Sequence, residues 1–274
     1  MKVCAITGST GILGKKIKKN LSYKFYEFKG DITCFKDVYK WIQSKNFDLL
    51  IHLAAIVPTK EVIKDYQHAY NVNVLGTKNI INSLKKKKEK PKWVFFASSS
   101  HVYQVKTKKI LLDESSKVRP YSTYGLTKKL AEIQIKKLKN FDIKFCIGRI
   151  FSFTDKAQKI PFIIPSIIQK IKNSKKDKVI FKNLDHYRDF ISTNDICKII
   201  DRLYCTKSEG IFNIGSGQAI NLKTIANVFA KKYKKKNIFK NNKKKTYLIC
   251  DTRKIKKKKI FLKKFKNKID YFYN

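Results

Sequence analysis

Residues 3–17, VCAITGSTGILGKKI, combine an apolar segment with three glycines and carry no charge before Lys15. The apolar residues before Gly8 predict a buried β-strand, and the residues after Gly14 predict a helix. Glycines at a strand-to-helix turn let backbone N–H groups approach an anion such as a pyrophosphate, because no side chain stands in the way. The spacing of Gly8, Gly11 and Gly14 therefore predicts a dinucleotide-binding turn, although a tight turn without a ligand would show the same glycines.

Short apolar, β-branched segments alternate with lysine-rich amphipathic segments over most of the chain. This alternation predicts an α/β fold in which helices cover both faces of a parallel sheet. The predicted strands are Lys2–Ile6, Lys24–Phe28, Leu49–Leu53, Trp93–Ala97, Lys144–Gly148 and Ile211–Ile214. The predicted helices are Thr33–Lys45, Tyr66–Lys86 and Tyr121–Lys139, with apolar residues three and four apart.

The alternation stops in two regions, and these predict a small second lobe. From Ser152 to about residue 186, Pro161 and Pro165 are expected to flank a short helix, and from Ala219 onward the pattern is irregular. We therefore divide the chain into a main domain of residues 1–151 with 187–215, and a small lobe of residues 152–186 with 216–274. The lysine run at 256–259 leads into Ile260, Phe261, Leu262 and Phe265. We expect a terminal packing helix there rather than a basic helix on a membrane surface.

The net charge of +43 is the compositional feature that would suggest a nucleic-acid binder. Only five of the 63 basic residues are arginine, however, and the rest are lysines accompanied by many Ile, Asn, Phe and Tyr residues. AT-rich codons encode these residues, so we attribute the charge to genome composition and expect no specific nucleic-acid partner. We also expect no membrane span, because no apolar run reaches about 18 residues. The six cysteines form no CxxC pair, which favours free thiols in the cytoplasm and no metal site.

Tyr124 and Lys128 lie four residues apart in YSTYGLTKK, so both face the same side of a predicted helix. A phenol with an ordinary pKa near 10 is a poor acid–base group at neutral pH, and a neighbouring ammonium would lower that pKa. Upstream, the buried strand in FFASSSHVY ends in Ser98, Ser99 and Ser100, whose hydroxyls could hydrogen-bond a substrate oxygen. Each feature alone also fits a surface residue, but their order after the glycine turn points to an acid–base site.

In these motifs the chain resembles the extended short-chain dehydrogenase/reductase (SDR) family, which includes the nucleotide-sugar epimerases, dehydratases and reductases. The resemblance implies a Rossmann-like doubly wound parallel sheet that binds NAD or NADP, and a small C-terminal lobe that holds a nucleoside-diphosphate sugar. The motifs that carry it are TGSTGILG at 7–14, GDIT at 30–33, IHLAA at 51–55, NVNVLGT at 71–77, SSSHVY at 98–103, YGLTK at 124–128, RDFISTND at 188–195 and FNIGSG at 212–217.

The resemblance also implies roles for individual residues. Tyr124 would be the catalytic acid/base, with Lys128 as its partner and Ser99 as the second hydroxyl, and Arg188 would grip the substrate diphosphate. An ion pair between Arg188 and Asp189 or Asp195 is the alternative for that arginine. The residues expected at the cofactor are Gly8, Gly11, Ile12, Gly14, Asp31, Ile32, Ala54, Ala55, Asn73, Ser98, Tyr124, Lys128 and Phe151. The residues expected at the substrate are Ser99, Ser100, Ser152 and Arg188.

Departures from the family pattern limit what the resemblance implies. The 4,6-dehydratases carry an Asp-Glu pair where this chain has Ser100 and His101, so elimination of water is poorly supported. In GDP-fucose-synthase-like members the position of His101 holds a second acid/base, and the alternative is a histidine that only lines the pocket. Ser152 replaces the usual Asn, and Gln104 replaces a glycine, which leaves the substrate open. Glu27 could bind a cofactor ribose, whereas Lys15, Lys16 or Lys29 could bind a 2′-phosphate.

The resemblance therefore predicts an enzyme, most directly a reductase of a 4-keto-6-deoxy NDP-hexose, with an NDP-sugar 4-epimerase that retains its NAD as the alternative. A non-catalytic dinucleotide sensor and a basic nucleic-acid binder are the hypotheses from other classes. A homodimer that pairs through the helices after Tyr66 and around Tyr124 is a further expectation.

Overall fold

The computed structural model describes residues 1–57, 59–241 and 243–260. Its main feature is a six-stranded, all-parallel sheet in the order β2-β1-β3-β4-β5-β9. Counted from β1, the order reverses between β1 and β3, which is where open α/β sheets bind ligands at the carboxyl ends of their strands. The strands are β1 Val3–Thr7, β2 Lys24–Glu27, β3 Leu49–His52, β4 Trp93–Ser99, β5 Lys144–Ile150 and β9 Gly210–Ile214.

Helices cover both faces of this sheet, as the sequence predicts for a doubly wound fold. On one face α1 (Ile12–Asn20) packs against α8 (Thr193–Cys205), around a core that includes Ile17 and Ile200. The other face carries α2 (Phe35–Gln43), α5 (Gly76–Lys85) and α6 (Thr123–Lys136). The central strands β3 and β4 are buried along their whole length, because helices lie on both sides of them.

All six predicted strands are present, with ends that shift by at most two residues. The predicted helix from Tyr66 to Lys86 is interrupted: α4 (Tyr66–Tyr70) follows α3 (Thr59–Lys64), and a π-helical turn, Asn71–Leu75, joins α4 to α5. Turns of this kind are frequent at functional sites, and this one carries Asn73. The predicted helix from Tyr121 is α6 followed by a 3₁₀ segment, Lys137–Phe141.

The remaining elements build a small lobe with its own core. In its four-stranded sheet β8 (His186–Ser192) pairs with β6 (Ser152–Thr154), β10 (Ala219–Asn221) and β12 (Thr246–Leu248). A second, two-stranded sheet joins β7 (Lys178–Lys182) to β11 (Lys236–Lys240). Helices α7 (Ile163–Lys172) and α9 (Leu222–Lys232) pack over the lobe core, and α10 (Arg253–Lys256) contacts β9.

Three details of this region differ from the sequence expectations or extend them. Pro165 does not close a short helix but is the third residue of α7, where its missing N–H would have no partner within the helix. The stretch from Ala219 contains regular strands and helices. Residues 187–192 lie in the small sheet, whereas α8 and β9 return to the main one; the division of the chain into two units stays a proposal.

The last part of the chain is covered only up to residue 260. Ile260 is buried against the main core, and the rest of the terminal helix predicted there, from Phe261 through Phe265, lies outside the described residues. Within the described part of the chain, no helix has the length and apolar character needed to cross a bilayer. The six cysteines are free thiols.

Candidate active site

The glycine turn lies at the carboxyl end of β1, and its three glycines have different surroundings. Gly8 has a φ of +69°, and a Cβ added there would lie 2.7 Å from the Ala54 nitrogen. A Cβ on Gly14 would lie 2.3 Å from the Gly8 carbonyl oxygen, so this glycine is required for α1 to pack on the turn. Gly11 caps α1, and a Cβ there would meet only that same oxygen, at 3.3 Å. Its surroundings leave room for an anion at the helix N-terminus, which fits a bound pyrophosphate.

A buried histidine that was not among the predicted site residues forms hydrogen bonds next to this turn. The His52 ring nitrogens lie 2.6 Å from the Thr7 hydroxyl and 3.0 Å from the Thr77 hydroxyl. Burial lowers the pKa of His52 to about 3, so the ring is neutral at physiological pH. The backbone N–H groups of Leu53 and Ala54 also donate to the Thr7 hydroxyl, each at 3.2 Å. These contacts fix the ends of β1 and β3, the two strands at the switch point of the sheet.

The residues expected at the adenine and ribose lie at the same edge of the sheet. The exposed Asp31 carboxylate accepts hydrogen bonds from the Thr33 backbone and hydroxyl, and Ile32 is buried against Gly76. Glu27 ends β2; hydrogen bonds from Lys18 and from Ser9 of the glycine turn hold its pKa below the ordinary value.

Of the three lysines considered for a 2′-phosphate, one has a carboxylate partner of its own. The Lys16 ammonium lies 3.5 Å from Asp155. Lys29 acts electrostatically on Glu27, and Lys15 lies on α1.

Asn73 in the π-helical turn links the loop after β3 to α6. Its side-chain oxygen accepts from the Ile56 N–H at 2.8 Å, and its amide donates to the Ile56 carbonyl and to the Thr127 hydroxyl, both at 3.0 Å. Every polar atom of this buried amide is therefore used in bracing the cleft. Ala55, half-buried, belongs to the loop that it holds.

The candidate acid–base residues meet where β4 ends. Ser122 caps α6 and so sets where the helix begins, which brings Tyr124 beside Ser99. The Tyr124 hydroxyl forms a hydrogen bond with Ser99, whose oxygen also accepts from the His101 N–H at 3.2 Å. The Lys128 ammonium donates to the Ala97 carbonyl at 2.8 Å. Ser99 on β4, which is distant in sequence, thus lies beside Tyr124, and Lys128 follows one turn later on the same helix.

The expectation that Lys128 makes Tyr124 acidic is wrong for the structure as described. Burial raises the pKa of Tyr124 to about 12, because the charged phenolate loses its hydration, and the hydrogen bond from Ser99 opposes this only in part. Burial also lowers the pKa of Lys128 to about 7, and the negative charge of Glu132 opposes that shift. Tyr124 is therefore a protonated phenol at neutral pH.

His101 lies beside Tyr124 and under a second tyrosine that the sequence analysis did not single out. Its ring centroid is 5.6 Å from that of Tyr124 and 5.1 Å from that of Tyr121. The Tyr121 hydroxyl lies 3.3 Å from each His101 ring nitrogen, while the residue remains 48% exposed. Burial and the charge of Arg188 lower the pKa of His101 to about 4, so the imidazole is neutral at physiological pH.

Arg188 faces the same cluster, and within the described part of the chain it forms no ion pair. Its guanidinium donates to the Thr246 hydroxyl at 3.1 Å and to the Tyr187 carbonyl at 2.8 Å. The two aspartates considered as partners are used elsewhere: Asp189 accepts from Ser216, Gly217 and Cys250, and Asp195 from Ser192. Among the described residues Arg188 has no carboxylate within 4.0 Å, and its charge acts on His101 and Tyr121.

The other predicted contact residues have the following positions in the structure. The Ser98 hydroxyl donates to the buried Glu132, and the Phe151 ring is buried at 6.3 Å from Tyr103. Ser100 is buried in the 3₁₀ turn Ser100–Val102. Ser152, half-buried, pairs with Phe190 between β6 and β8, and Ile12 begins α1.

Comparison with known proteins identifies the family to which the chain belongs. A family model described as GDP-mannose 4,6 dehydratase matches residues 6–270. Because the match spans nearly the whole chain, the protein belongs to this family, within the extended SDR nucleotide-sugar epimerases and reductases.

Two related proteins are named for reactions of GDP-6-deoxyhexoses. A GDP-6-deoxy-D-talose 4-dehydrogenase from Aggregatibacter actinomycetemcomitans is 32% identical over 209 residues, covering 72% of this chain and 68% of that protein. A GDP-6-deoxy-D-mannose reductase from Pseudomonas aeruginosa is 24% identical over 191 residues, covering 67% of this chain and 62% of that protein. UDP-glucose 4-epimerases also match. Among solved structures, RMD from Pseudomonas aeruginosa complexed with NADPH superimposes with a TM-score of 0.82 at 19% identity, covering 94% of this chain and 92% of the other, which shows the shared fold.

Proposed function

We propose that this protein is an NAD(P)-dependent nucleotide-sugar oxidoreductase that reduces the 4-keto group of a 4-keto-6-deoxy NDP-hexose. The observation that carries the proposal is the meeting of Tyr124 and Ser99 at the carboxyl end of β4, at the same edge of the parallel sheet as the glycine turn. The related proteins named for GDP-6-deoxy-talose and GDP-6-deoxy-mannose support the substrate class. A bound nicotinamide would supply the hydride.

The state of Tyr124 suits the direction of reduction. When hydride reaches a carbonyl carbon, negative charge develops on the oxygen, and a neutral phenol can donate the proton that this oxygen needs. A pKa raised to about 12 keeps Tyr124 in that neutral form. Ser99 donates a second hydrogen bond to the same oxygen, which orients the carbonyl and stabilises its charge. An epimerase that begins by oxidising an alcohol needs the opposite starting state, a phenolate.

Lys128 lies one helical turn after Tyr124 on α6. Its ammonium lies 4.9 Å from the Phe96 ring and donates to the Ala97 carbonyl, which holds it at the end of β4. By resemblance it would also bind the nicotinamide ribose. With a pKa of about 7, Lys128 exists in both its charged and its neutral form near physiological pH, so the charge at the site changes with pH.

Substrate recognition follows from the cluster at the mouth of the cleft. Arg188, which has no carboxylate partner among the residues that the structure describes, is a cation that can bind a diphosphate bidentately. His101 and Tyr121 lie between Arg188 and Tyr124 and would contact the sugar. Neutral His101 suits a hydrogen-bonding role better than that of a cationic acid.

Two activities of the wider family receive less support. The dehydratase named in the family description requires a carboxylate pair that is replaced here by Ser100 and His101. The 4-epimerase remains the second candidate, because UDP-glucose 4-epimerases are among the related proteins.

For the cofactor, Glu27 favours NAD. It lies at the end of the second strand, 19 positions after Gly8, where an acidic residue commonly binds the ribose 2′-hydroxyl. Its hydrogen bond with Ser9 places it against the glycine turn. The structural neighbour with NADPH keeps NADP as the alternative.

We also propose a cytoplasmic homodimer. The helices α4 to α6 carry exposed apolar side chains, and a surface of this kind favours association. Tyr66 is 37% exposed, Leu75 36%, Leu126 38% and Ile133 47%. Six free thiols suit a reducing compartment.

The test is a panel of GDP-, UDP- and dTDP-sugars, including 4-keto-6-deoxy forms, incubated with NADH or NADPH and analysed by mass spectrometry. Reduction of a 4-keto-6-deoxy sugar with stoichiometric cofactor oxidation is the expected result. Tightly retained nicotinamide with interconversion of 4-epimers would favour the epimerase instead. No conversion of any sugar, with dinucleotide binding intact, would contradict the enzymatic proposal.

A further inference from the structure

A buried ion pair lies directly behind the proposed acid–base site. Glu132 on α6 and Arg149 on β5 are each only 3% exposed at the side chain, and the guanidinium grips the carboxylate with two hydrogen bonds of 2.7 and 2.9 Å. Seventeen residues separate the two in sequence, and the packing of α6 against β5 brings them together. Burying two charges carries a desolvation cost that their attraction does not always offset, so such a pair is weak evidence for stability alone. Its position suggests a further role.

The Glu132 carboxylate also binds the strand that carries Ser99. The Ser98 hydroxyl donates to Glu132 at 2.5 Å, and Ser98 directly precedes Ser99 at the end of β4. One turn earlier on α6, Lys128 donates to the carbonyl of Ala97. Two side chains of the same helix therefore hold consecutive residues of β4, and this helix also carries Tyr124.

The far side of Arg149 is anchored in the protein core. Its guanidinium lies 4.8 Å over the Tyr103 ring, and the Tyr103 hydroxyl donates to Asn213 on β9 at 2.6 Å. The arginine also contacts the Glu114 carbonyl at 3.4 Å. Glu132 is thus tied through Arg149 to two further elements, which limits how far the carboxylate can move.

The charges around Lys128 affect whether its side chain is protonated. The groups that face the ammonium are the Phe96 ring, the neutral His52 on β3, and Glu132 on its own helix. Burial favours the neutral amine, and Glu132 is the acidic group that opposes this effect. Removing the carboxylate would also leave Arg149 as an uncompensated positive charge close by, which disfavours the ammonium further.

We propose that Glu132, paired with Arg149, is a positioning residue: through Ser98 it holds Ser99 at the end of β4, and its negative charge acts on Lys128 one turn earlier on the same helix. The inference rests on the proposed function for its effect on turnover. Its contacts with Ser98 and Arg149 do not depend on which sugar is the substrate.

The experiment compares the wild type with Glu132→Gln, Glu132→Asp and the double variant E132Q/R149Q. Each is characterised by thermal melting, by dinucleotide binding, and by kcat and KM for the sugar between pH 6 and 9. We expect E132Q to lower kcat about tenfold or more at pH 8, with the loss of activity at high pH starting at least about one pH unit earlier than in the wild type. KM should change little. The Asp variant should recover part of kcat and of the pH profile.

A control variant and a second readout separate a positioning role from a folding role. Asp185→Asn breaks an ion pair with Lys223 in the small lobe and should leave the pH profile unchanged. If E132Q fails to fold, the double variant, which has no unpaired buried charge, takes its place. A folded variant without Glu132 that keeps the wild-type kcat and pH profile would overturn the inference.

Titration of Lys128 by NMR of ¹³C-labelled lysine, assigned with Lys128→Met, needs no substrate. A lower titration midpoint in E132Q supports the inference even if no sugar is turned over, whereas an unchanged midpoint contradicts it. Absence of wild-type turnover would instead count against the proposed function.

Discussion

The glycine turn allows a sharp test, because two of its glycines should fail in different ways. In Gly14→Ala the new Cβ would lie 2.3 Å from the Gly8 oxygen and 2.7 Å from the Ser9 Cα, both backbone atoms that cannot rotate away. Overpacking of this kind costs about 1–3 kcal/mol. For a chain of this size each kcal/mol lowers the melting temperature by about 2–4 °C. We therefore expect Gly14→Ala to melt roughly 2–12 °C below the wild type.

Gly11→Ala is the matched variant with the opposite expectation. Gly11 has a φ of −68° and a ψ of 167°, which alanine adopts readily, and its Cβ would meet only one atom, at 3.3 Å. The free energy of unfolding should change by no more than about 1 kcal/mol. Because the new methyl group would stand where a pyrophosphate approaches the backbone, the dinucleotide should bind at least about tenfold more weakly, a loss of about 1.4 kcal/mol.

Thermal melting with and without NAD(H) and NADP(H) measures both effects. A ligand at about 100 times its Kd stabilises the wild type by about 2.7 kcal/mol, so its melting temperature should rise clearly. Gly11→Ala should melt like the wild type without ligand and lose most of this rise. A Gly11→Ala protein that keeps the full ligand-induced rise, or a Gly14→Ala protein as stable as the wild type, would refute the assignment of the two glycines.

Three further predictions concern the charged and dimer-forming residues. The pKa of Lys128 is lowered from 10.5 to about 7, so between these pH values the unfolded chain binds more protons and the free energy of unfolding should rise with pH. In melting experiments at several pH values, Lys128→Met should be more stable than the wild type below pH 7 and lose this advantage toward pH 10.5. A stability difference that does not change with pH would contradict the lowered pKa. Arg188→Met should weaken the binding of a nucleoside diphosphate at least about tenfold, measured by calorimetry, because a charge-assisted bidentate contact is lost. The affinity for the dinucleotide should stay unchanged. An equal loss of affinity for both ligands would point to a folding defect. In analytical ultracentrifugation, the Leu126→Glu and Ile133→Glu variants should shift the proposed dimer to monomer, since each places a charge on an exposed apolar face, whereas a wild type that sediments as a monomer would remove the dimer proposal.

Much of the main domain follows from local sequence. The central strands β3 and β4 are apolar segments buried on both faces, which explains why their pattern is so clear, whereas the edge strand β2, KFYE, is only partly buried. The π-helical turn at Asn71–Leu75 has no comparable local signal, because it depends on the contacts of Asn73 with Ile56 and Thr127. In the small lobe, strands of three residues such as Ser152–Thr154 are set by their partners rather than by their own sequence.

The candidate site, like the fold, has features that the sequence predicts and features that only the tertiary structure determines. The order of the motifs along the chain is enough to predict that Ser99, Tyr124 and Lys128 lie in one site. The direction of the Tyr124 pKa could not be predicted from the four-residue spacing to Lys128, because burial of both groups is a tertiary property. The sequence did not indicate that Glu132 and Arg149 form an ion pair, because only the packing of α6 on β5 brings them together.

The most direct measurement follows a deuterium atom from nicotinamide to sugar. The wild type and Tyr124→Phe are incubated with 4-deuterated NADH or NADPH and a 4-keto-6-deoxy NDP-hexose, and the product is analysed by mass spectrometry and NMR. The account predicts one deuterium at C4 of the product from the wild type. For Tyr124→Phe it predicts unchanged dinucleotide binding and a kcat lower by about 10²–10⁴. A product without deuterium at C4, or a Tyr124→Phe enzyme with the wild-type rate, would contradict it.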